Sequence, residues 1–351
     1  MNIQFYQFFD QLIALSSNHA QTMDLMDAMF RRLAVDDLKD NPLTQQYKVV
    51  ANDDGTAQIH TPDSVYEVEQ TTLLPSLTHG IVLRHTLAQI RSHLLFHAAA
   101  LSKHEKGLIL AADSGCGKTT LALALVRQGF KLLSDEAAAL GRHHSELAPY
   151  PRCLWVRSST EKVFQQYGWQ LPPHIIALKK EDRKAIHLAS TQQGETCQPR
   201  YLIIIKHPDK AEERICDFTL DKLPDNLLIN LQTIGIAPVI APNEKPFPVI
   251  KAKKAYLNHI YAACEQHRVL VLDVDEAAID PSYYQQLSDL QEIPKLTTAL
   301  MLLRGVIVQK DYQSSPAGLI LPLVKMLAPV KCYQLTPARL DKMVKIINDL
   351  Y

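Results

Sequence analysis

The sequence predicts an α/β fold, and three observations predict it. Residues 107–112 form an apolar strand running into the loop Asp113-Ser114-Gly115-Cys116-Gly117, and Lys118-Thr119-Thr120 then open an apolar helix. One helix later a second stretch, Lys131-Leu132-Leu133-Ser134, ends in Asp135-Glu136. Finally, Tyr201-Leu202-Ile203-Ile204-Ile205 is apolar throughout, as a strand covered on both faces must be.

The glycine loop is the element around which the rest is organised. Gly115 and Gly117 let main-chain N–H groups converge on an anion where a Cβ would crowd the approach. The helix that follows adds its positive dipole end. The spacing is that of a P-loop, GxxxxGK[ST], with Ala112 standing at its first glycine. Asp113, Ser114, Gly115, Cys116, Gly117, Lys118, Thr119 and Thr120 therefore read as a polyphosphate cradle for a nucleoside triphosphate or diphosphate. Lys118 reaches the outer phosphates, and the Thr119 hydroxyl suits Mg²⁺. Cys116 reads as a small loop residue rather than a redox sensor.

Composition sets the outer limits. An apolar fraction of 47% over 351 residues supplies a full core. Lys+Arg and Asp+Glu number 37 each, so no net field draws nucleic acid or an anionic membrane. No run reaches the ~18 apolar residues of a membrane span. The first residues carry no basic segment before Asp10, unlike a signal peptide. The six cysteines are scattered without a CxxC pair, which argues against a zinc or disulfide framework and fits a cytoplasmic location.

In chain order, residues 1–45 read as helical, with Phe5, Phe8, Phe9, Leu12 and Ile13 at helical spacing. Residues 47–51 and 57–60 read as a strand pair around Asn52-Asp53-Asp54-Gly55, and 65–68 adds a third strand. Residues 1–80 are thus expected to be a small N-terminal α+β accessory region, with 81–351 as the main domain and 251–330 as an insertion or accessory part. A helix is expected over 81–95 and a strand over 96–101. The short turn 103–107 makes that strand an antiparallel neighbour of the loop strand and sets His97 near the loop. Gly129 stops the loop helix. Pro149 and Pro151 fix an extended lead-in to a strand at 154–157. Arg152 and Arg157 on this stretch read either as surface arginines or as groups that hold an anionic substrate or transferring phosphate. The charge run 179–184 reads as a solvated face, and 217–235 as helix. Residues 269–272 read as a structural strand ending in the acids Asp273, Asp275 and Glu276. The chain closes with a strand at 330–335, Thr336 as N-cap and Pro337 at the first helical position. Leu340, Met343, Val344, Ile347 and Leu350 make the buried face of that helix.

Three segments together resemble the catalytic domain of HPr kinase/phosphorylase, and more closely its smaller HPr-kinase-related relatives. They are Leu95-Phe96-His97-Ala98-Ala99-Ala100, Ser114-Gly115-Cys116-Gly117-Lys118-Thr119 and Gly129-Phe130-Lys131-Leu132-Leu133-Ser134-Asp135-Glu136, in that order and spacing. Pro149-Tyr150-Pro151-Arg152 and the terminal Tyr333-Gln334-Leu335 look similar too. The resemblance implies a P-loop kinase core of the HPr kinase / phosphoenolpyruvate carboxykinase-like type, with a mixed sheet. It implies transfer of phosphate from ATP, with Mg²⁺, to a Ser/Thr-type hydroxyl. In that scheme Asp135 accepts the hydroxyl proton, His97 orients Asp135, and Lys118 and Thr119 serve phosphate and Mg²⁺. Glu136 is a further metal ligand, standing where the family commonly has a second Asp. The family's Arg-Gly signature is not evident near Arg157; Leu303-Arg304-Gly305-Val306 looks similar but comes far later in the chain. These departures turn the expected acceptor away from HPr itself towards another peptide or protein serine. A small-molecule hydroxyl kinase and a non-catalytic nucleotide-dependent switch or assembly factor are the alternatives. A homo-oligomer is also implied, without a subunit number.

Overall fold

The chain begins with a hairpin where its phenylalanine spacing predicts a helix. The computed structural model describes residues 1–36, 42–112, 116–178, 183–206, 215–237, 239–240, 247–276, 289–307 and 316–351. In it β1 (Asn2–Phe8) and β2 (Gln11–Ser17) pair antiparallel, with Phe8 opposite Gln11. Burial follows a period of two: Tyr6 and Phe8, then Ile13 and Leu15, are fully enclosed. The turn is Phe9-Asp10, and Phe9 makes it at φ 54, a conformation that bulky residues rarely adopt. Asp10 ties the turn down, accepting from the Arg91 N–H at 3.1 Å and the Ser92 hydroxyl at 2.7 Å.

Helix α1 (Ala20–Phe30) follows, then β3 (Ala34–Val35), β4 (Gln45–Ala51), β5 (Ala57–His60) and β6 (Val65–Val68). They complete a six-stranded sheet in the order β3-β1-β2-β4-β5-β6, in which β2 and β4 run parallel. Helix α2 (Leu74–Gln89) carries Pro75 in its first turn and packs on α1 and the sheet. It starts at Leu74 rather than Ile81, and Leu94 and Leu95 belong to the strand after it. Its apolar face joins one cluster with Leu95, Ala137, Ala139 and Tyr150, so the core is continuous across residue 80.

Next come β7 (His93–Phe96), β8 (Ala98–Lys103) and β9 (Lys106–Ala112). Strands β8 and β9 are antiparallel, with Lys103 opposite Lys106. His104 and Glu105 between them take φ 49 and 61, the primed two-residue turn that matches strand twist. Helix α3 (Lys118–Arg127) is followed by β10 (Lys131–Ser134), β11 (Ala138–Gly141), β12 (Leu147–Ala148), β13 (Leu154–Arg157) and α4 (Ser158–Gln166). Strand β15 (Arg183–Ile186) pairs antiparallel with β13 on one side and with β14 (His174–Leu178) on the other; of the charge run, Lys179, Lys180, Glu181 and Asp182 lie outside the described residues. Strand β16 (Gln198–Ile205) enters the centre of the fold.

Residues 217–235 are not one helix. Cys216, Phe218 and Leu220 alternate inward along β17 (Ile215–Leu220), and α5 (Asp225–Thr233) begins only after Pro224. With β18 (Val239–Ile240), β19 (Val249–Lys253), α6 (Leu257–Gln266) and β20 (Val271–Glu276) they form a separate small layer, sheet order β18-β19-β17-β20. The remaining elements are β21 (Leu290–Glu292), α7 (Lys295–Leu303), α8 (Ile320–Met326), β22 (Lys331–Leu335) and α9 (Leu340–Asn348). Thr336 and Pro337 do not open α9. The Thr336 N–H donates to Asp289 O at 2.9 Å, which keeps this connection extended, and the helix starts at Leu340 behind Arg339. Leu340, Met343, Val344 and Ile347 are buried as their spacing predicts, whereas Leu350 is half-buried.

The central sheet has the order β10-β8-β9-β16-β22-β21. Strands β9, β16 and β22 are parallel; β8 pairs antiparallel with β9, β10 antiparallel with β8, and β21 antiparallel with β22. It is a mixed sheet within a mixed α/β fold. No helix of the described residues is long and apolar enough to cross a membrane.

Candidate functional site

One end of the central sheet gathers the strand ends. Ala112 is in register with Ile205, and Ile205 with Leu335, so β9, β16 and β22 finish together. Ala98 lies opposite Ala111, and Ala100 opposite Ser134, so β8 starts where β10 ends. Crevices beyond carboxyl strand ends are where open α/β sheets take their ligands.

Two connectors leave the central sheet here, side by side, for the sheet β12-β11-β7. One is His97, between β7 and β8; the other is Asp135-Glu136-Ala137, between β10 and β11. Phe96 opposite Ala138 on one side and Ala100 opposite Ser134 on the other hold the two crossings together. The Ser134 hydroxyl accepts the Ala137 N–H at 3.1 Å and so turns the acidic connector.

Lys118 heads α3 behind Gly117, whose φ of 78 suits glycine. Its ammonium is buried and donates to the main-chain oxygen of Asp135. The Thr119 hydroxyl lies 3.5 Å from Asp135 Oδ2, at the outer limit of a hydrogen bond. The carboxyl of Asp135 is itself buried. Burial, with the charge of Glu136, pushes its pKa up to about 6 against the pull of Lys118 and Arg152. Burial likewise lowers the pKa of Lys118, with Asp135 and Glu136 opposing.

Arg152 arrives by the proline lead-in. The Tyr150 N–H donates to Leu133 O at 2.9 Å, which docks residues 149–152 along β10. The buried Arg152 then pairs with Glu136, Nη2 to Oε2 at 2.6 Å. Arg157, half-buried, is the N-cap residue of α4. The first turns of α3 and α4 meet through the Thr120 and Thr160 hydroxyls at 2.9 Å, which sets Arg157 at this end of the molecule.

The structure thus brings Lys118, Thr119, Asp135, Glu136 and Arg152 into one chain of contacts, with His97 and Arg157 at the same end. Cys116 is buried, and with Gly117 it leads into α3; Asp113, Ser114 and Gly115 lie outside the described residues. Asp273, Asp275 and Glu276 stand on β20, in the separate sheet. The Thr119 hydroxyl and the two carboxylates are hard oxygen donors, and such a set fits Mg²⁺, which takes one or two protein carboxylates and completes its shell with phosphate oxygens and water. A cage of three or more His, Cys, Asp or Glu side chains is not found among the described residues, and that mode of binding does not require one.

Sequence reasoning misses His79 and sets the Arg304-Gly305 segment aside for its late place in the chain. Gly305 O accepts the His97 N–H at 2.6 Å, and Phe96 and Val306 form a bridge, so the late Arg304-Gly305 segment is seated against the His97 crossing. Only its distance along the chain hides it. His79, on α2, lies close enough to feel the charges of Arg152 and Glu136. Burial, with Arg152, pushes its pKa down to about 3 against Glu136. A lone histidine on an apolar helix gives no signal of this.

Fold and site together define a mixed α/β protein with a buried lysine heading a helix beside two acids at the strand ends. No family model matches the chain. Among solved structures it is similar to the HPr(Ser) kinase/phosphatase from Coxiella burnetii, at 15% identity over 50% of this chain and 95% of that one, with a TM-score of 0.22.

Proposed function

We propose that the protein is an ATP- and Mg²⁺-dependent kinase that transfers the γ-phosphoryl group to a Ser/Thr-type hydroxyl of a peptide or protein. The observation that carries this reading is the contact chain at the head of α3. Lys118 and Thr119 meet the Asp135 segment, and Asp135 keeps a carboxyl that titrates near 6. A base with that pKa is ionised at neutral pH yet binds a proton readily enough to take one from a hydroxyl.

Placement supports the following roles. Asp135 receives the proton of the acceptor hydroxyl as its oxygen attacks phosphorus and the bond to the leaving diphosphate breaks. Lys118, at the positive end of α3, holds outer phosphate oxygens. Thr119, Asp135 and Glu136 would hold Mg²⁺, which when bound neutralises phosphate charge. Arg152 acts on Glu136 rather than on substrate, since its guanidinium is already engaged there. Arg157, the N-cap residue of α4 at the same end of the molecule, is assigned to an anionic acceptor. His97 adjoins the Asp135 crossing and orients it. The 1–80 region and the 251–330 segment serve as accessory parts, and the chain works in the cytoplasm.

The test is label transfer from γ-labelled ATP by wild type and Asp135→Asn in an extract of the source cells, separated by size. Asp135-dependent label on a peptide or protein band is expected and identifies the acceptor. Label confined to small molecules would replace the acceptor with a metabolite. ATP binding without Asp135-dependent label in either fraction would favour a nucleotide-dependent switch.

A further inference from the structure

Three buried polar atoms beside the site have no hydrogen-bond partner in the protein: His79 Nε2, Tyr150 Oη and Arg152 Nε. They belong to one neighbourhood. The Arg152 guanidinium carbon lies 5.9 Å from the Tyr150 ring centroid, and the charges of Arg152 and Glu136 act on both His79 and Tyr150. Aromatic packing holds the two rings. His79 stacks on Phe30 at 5.4 Å and 28°, and Tyr150 lies 6.1 Å from Phe8 and 5.8 Å from Phe9. All three phenylalanines come from the N-terminal hairpin and α1.

A buried polar atom left alone costs about 1–3 kcal/mol, so each of the three calls for a partner, and one buried water can serve more than one of them. Tyr150 and Arg152 donate, and neutral His79 donates or accepts according to its tautomer. That set matches buried water, which takes about 2–4 polar partners. We propose that His79 and Tyr150 are positioning residues of the phosphoryl-transfer site: through buried water they hold the Arg152 guanidinium, and Arg152 pins Glu136 beside Asp135. The inference rests on the kinase reading for its catalytic consequence, and it makes the N-terminal region part of the catalytic support.

Tyr150→Phe is the discriminating change, because it keeps the ring packing and deletes only the unpartnered hydroxyl. A purely structural hydroxyl of this kind would be lost with kcat unchanged and stability equal or higher. A positioning hydroxyl shows instead a fall in kcat of about tenfold or more, with the KM for ATP within about twofold of wild type. His79→Ala should behave the same way, and His79→Gln, which returns an amide near Nε2, should recover most of the loss. A second readout does not depend on turnover: the Arg152 Nε–Hε resonance in ¹⁵N NMR of the full chain. It should shift in both Tyr150→Phe and His79→Ala. If that resonance and kcat are unmoved in folded Tyr150→Phe, the positioning role is overturned. If the resonance moves in both variants while wild type transfers no phosphoryl group, the hold on Arg152 stands and the kinase reading falls.

Discussion

Replacing Asp135 by asparagine should abolish transfer and stabilise the protein at once. The buried carboxyl titrates at about 6 in the folded chain against 3.8 unperturbed. At pH 7 it is therefore about 90% ionised and competent as a base, and at pH 5 the competent fraction falls about tenfold. Wild-type kcat/KM should thus bend downward near pH 6 on the acid side. Asp135→Asn should lie about 10²–10⁴ lower, without that bend. The same displacement sets the stability effect. The folded state binds this proton more tightly than the unfolded one, so the group's stabilising contribution is full below 3.8 and is lost as pH rises through 6. At pH 7 the ionised, desolvated carboxylate costs on the order of 3 kcal/mol, from 1.36 kcal/mol for each unit between 3.8 and about 6. Urea unfolding should show Asp135→Asn more stable than wild type at pH 7, with the gap closing below pH 4. Transfer within tenfold of wild type would remove Asp135 as the base. Equal stability at pH 7 would show that its burial does not carry the cost argued here.

Other consequences are open to direct measurement. Lys118→Ala should weaken ADP binding about 10- to 100-fold by calorimetry, the worth of one charged hydrogen bond, and unchanged affinity would move the phosphates elsewhere. Arg152→Ala breaks the 2.6 Å pair with Glu136 and should cost about 3 kcal/mol in urea unfolding, the low end for a buried pair because Glu136 is partly exposed. Cys153, pushed up to about 12, and Cys197 and Cys264, pushed up to about 11, should resist iodoacetamide at pH 7 in the native protein; rapid alkylation of these three by mass spectrometry would contradict their burial.

Some of this was legible in the sequence because its signals are local. Lys118-Thr119 opens its helix within a few residues of the loop glycines, and Asp135-Glu136 sits directly at a strand end, so spacing alone placed them. The antiparallel pair around His104-Glu105 was legible for the same reason. The N-terminal hairpin was not. Its turn rests on Phe9 at positive φ, without glycine or asparagine, so two strands with no turn signal between them left Phe5, Phe8, Phe9, Leu12 and Ile13 at helical spacing by chance. The 217–235 stretch failed similarly, with a strand and a helix of comparable apolarity separated by Pro224. His79 was missed, and Gly305, though visible, was set aside as too late in the chain, for another reason. Each acts on a segment far from it in sequence, and only the packing of α2 and the docking of the Phe96–Val306 bridge reveal the connection.

The paired crossings of His97 and Asp135 have a mechanical consequence. Both leave the central sheet for the same neighbour, and that neighbour shares its apolar cluster with the N-terminal sheet. A shear between the two layers would carry the histidine and the acid as a rigid pair. The spacing that changes is the one between this pair and Lys118, which rides on α3 with the central sheet. A displacement of the N-terminal sheet against the central sheet would therefore, on the kinase reading, alter the gap between Asp135 and Lys118. The layered fold acts there as a calliper, with the acid on one jaw and the lysine on the other.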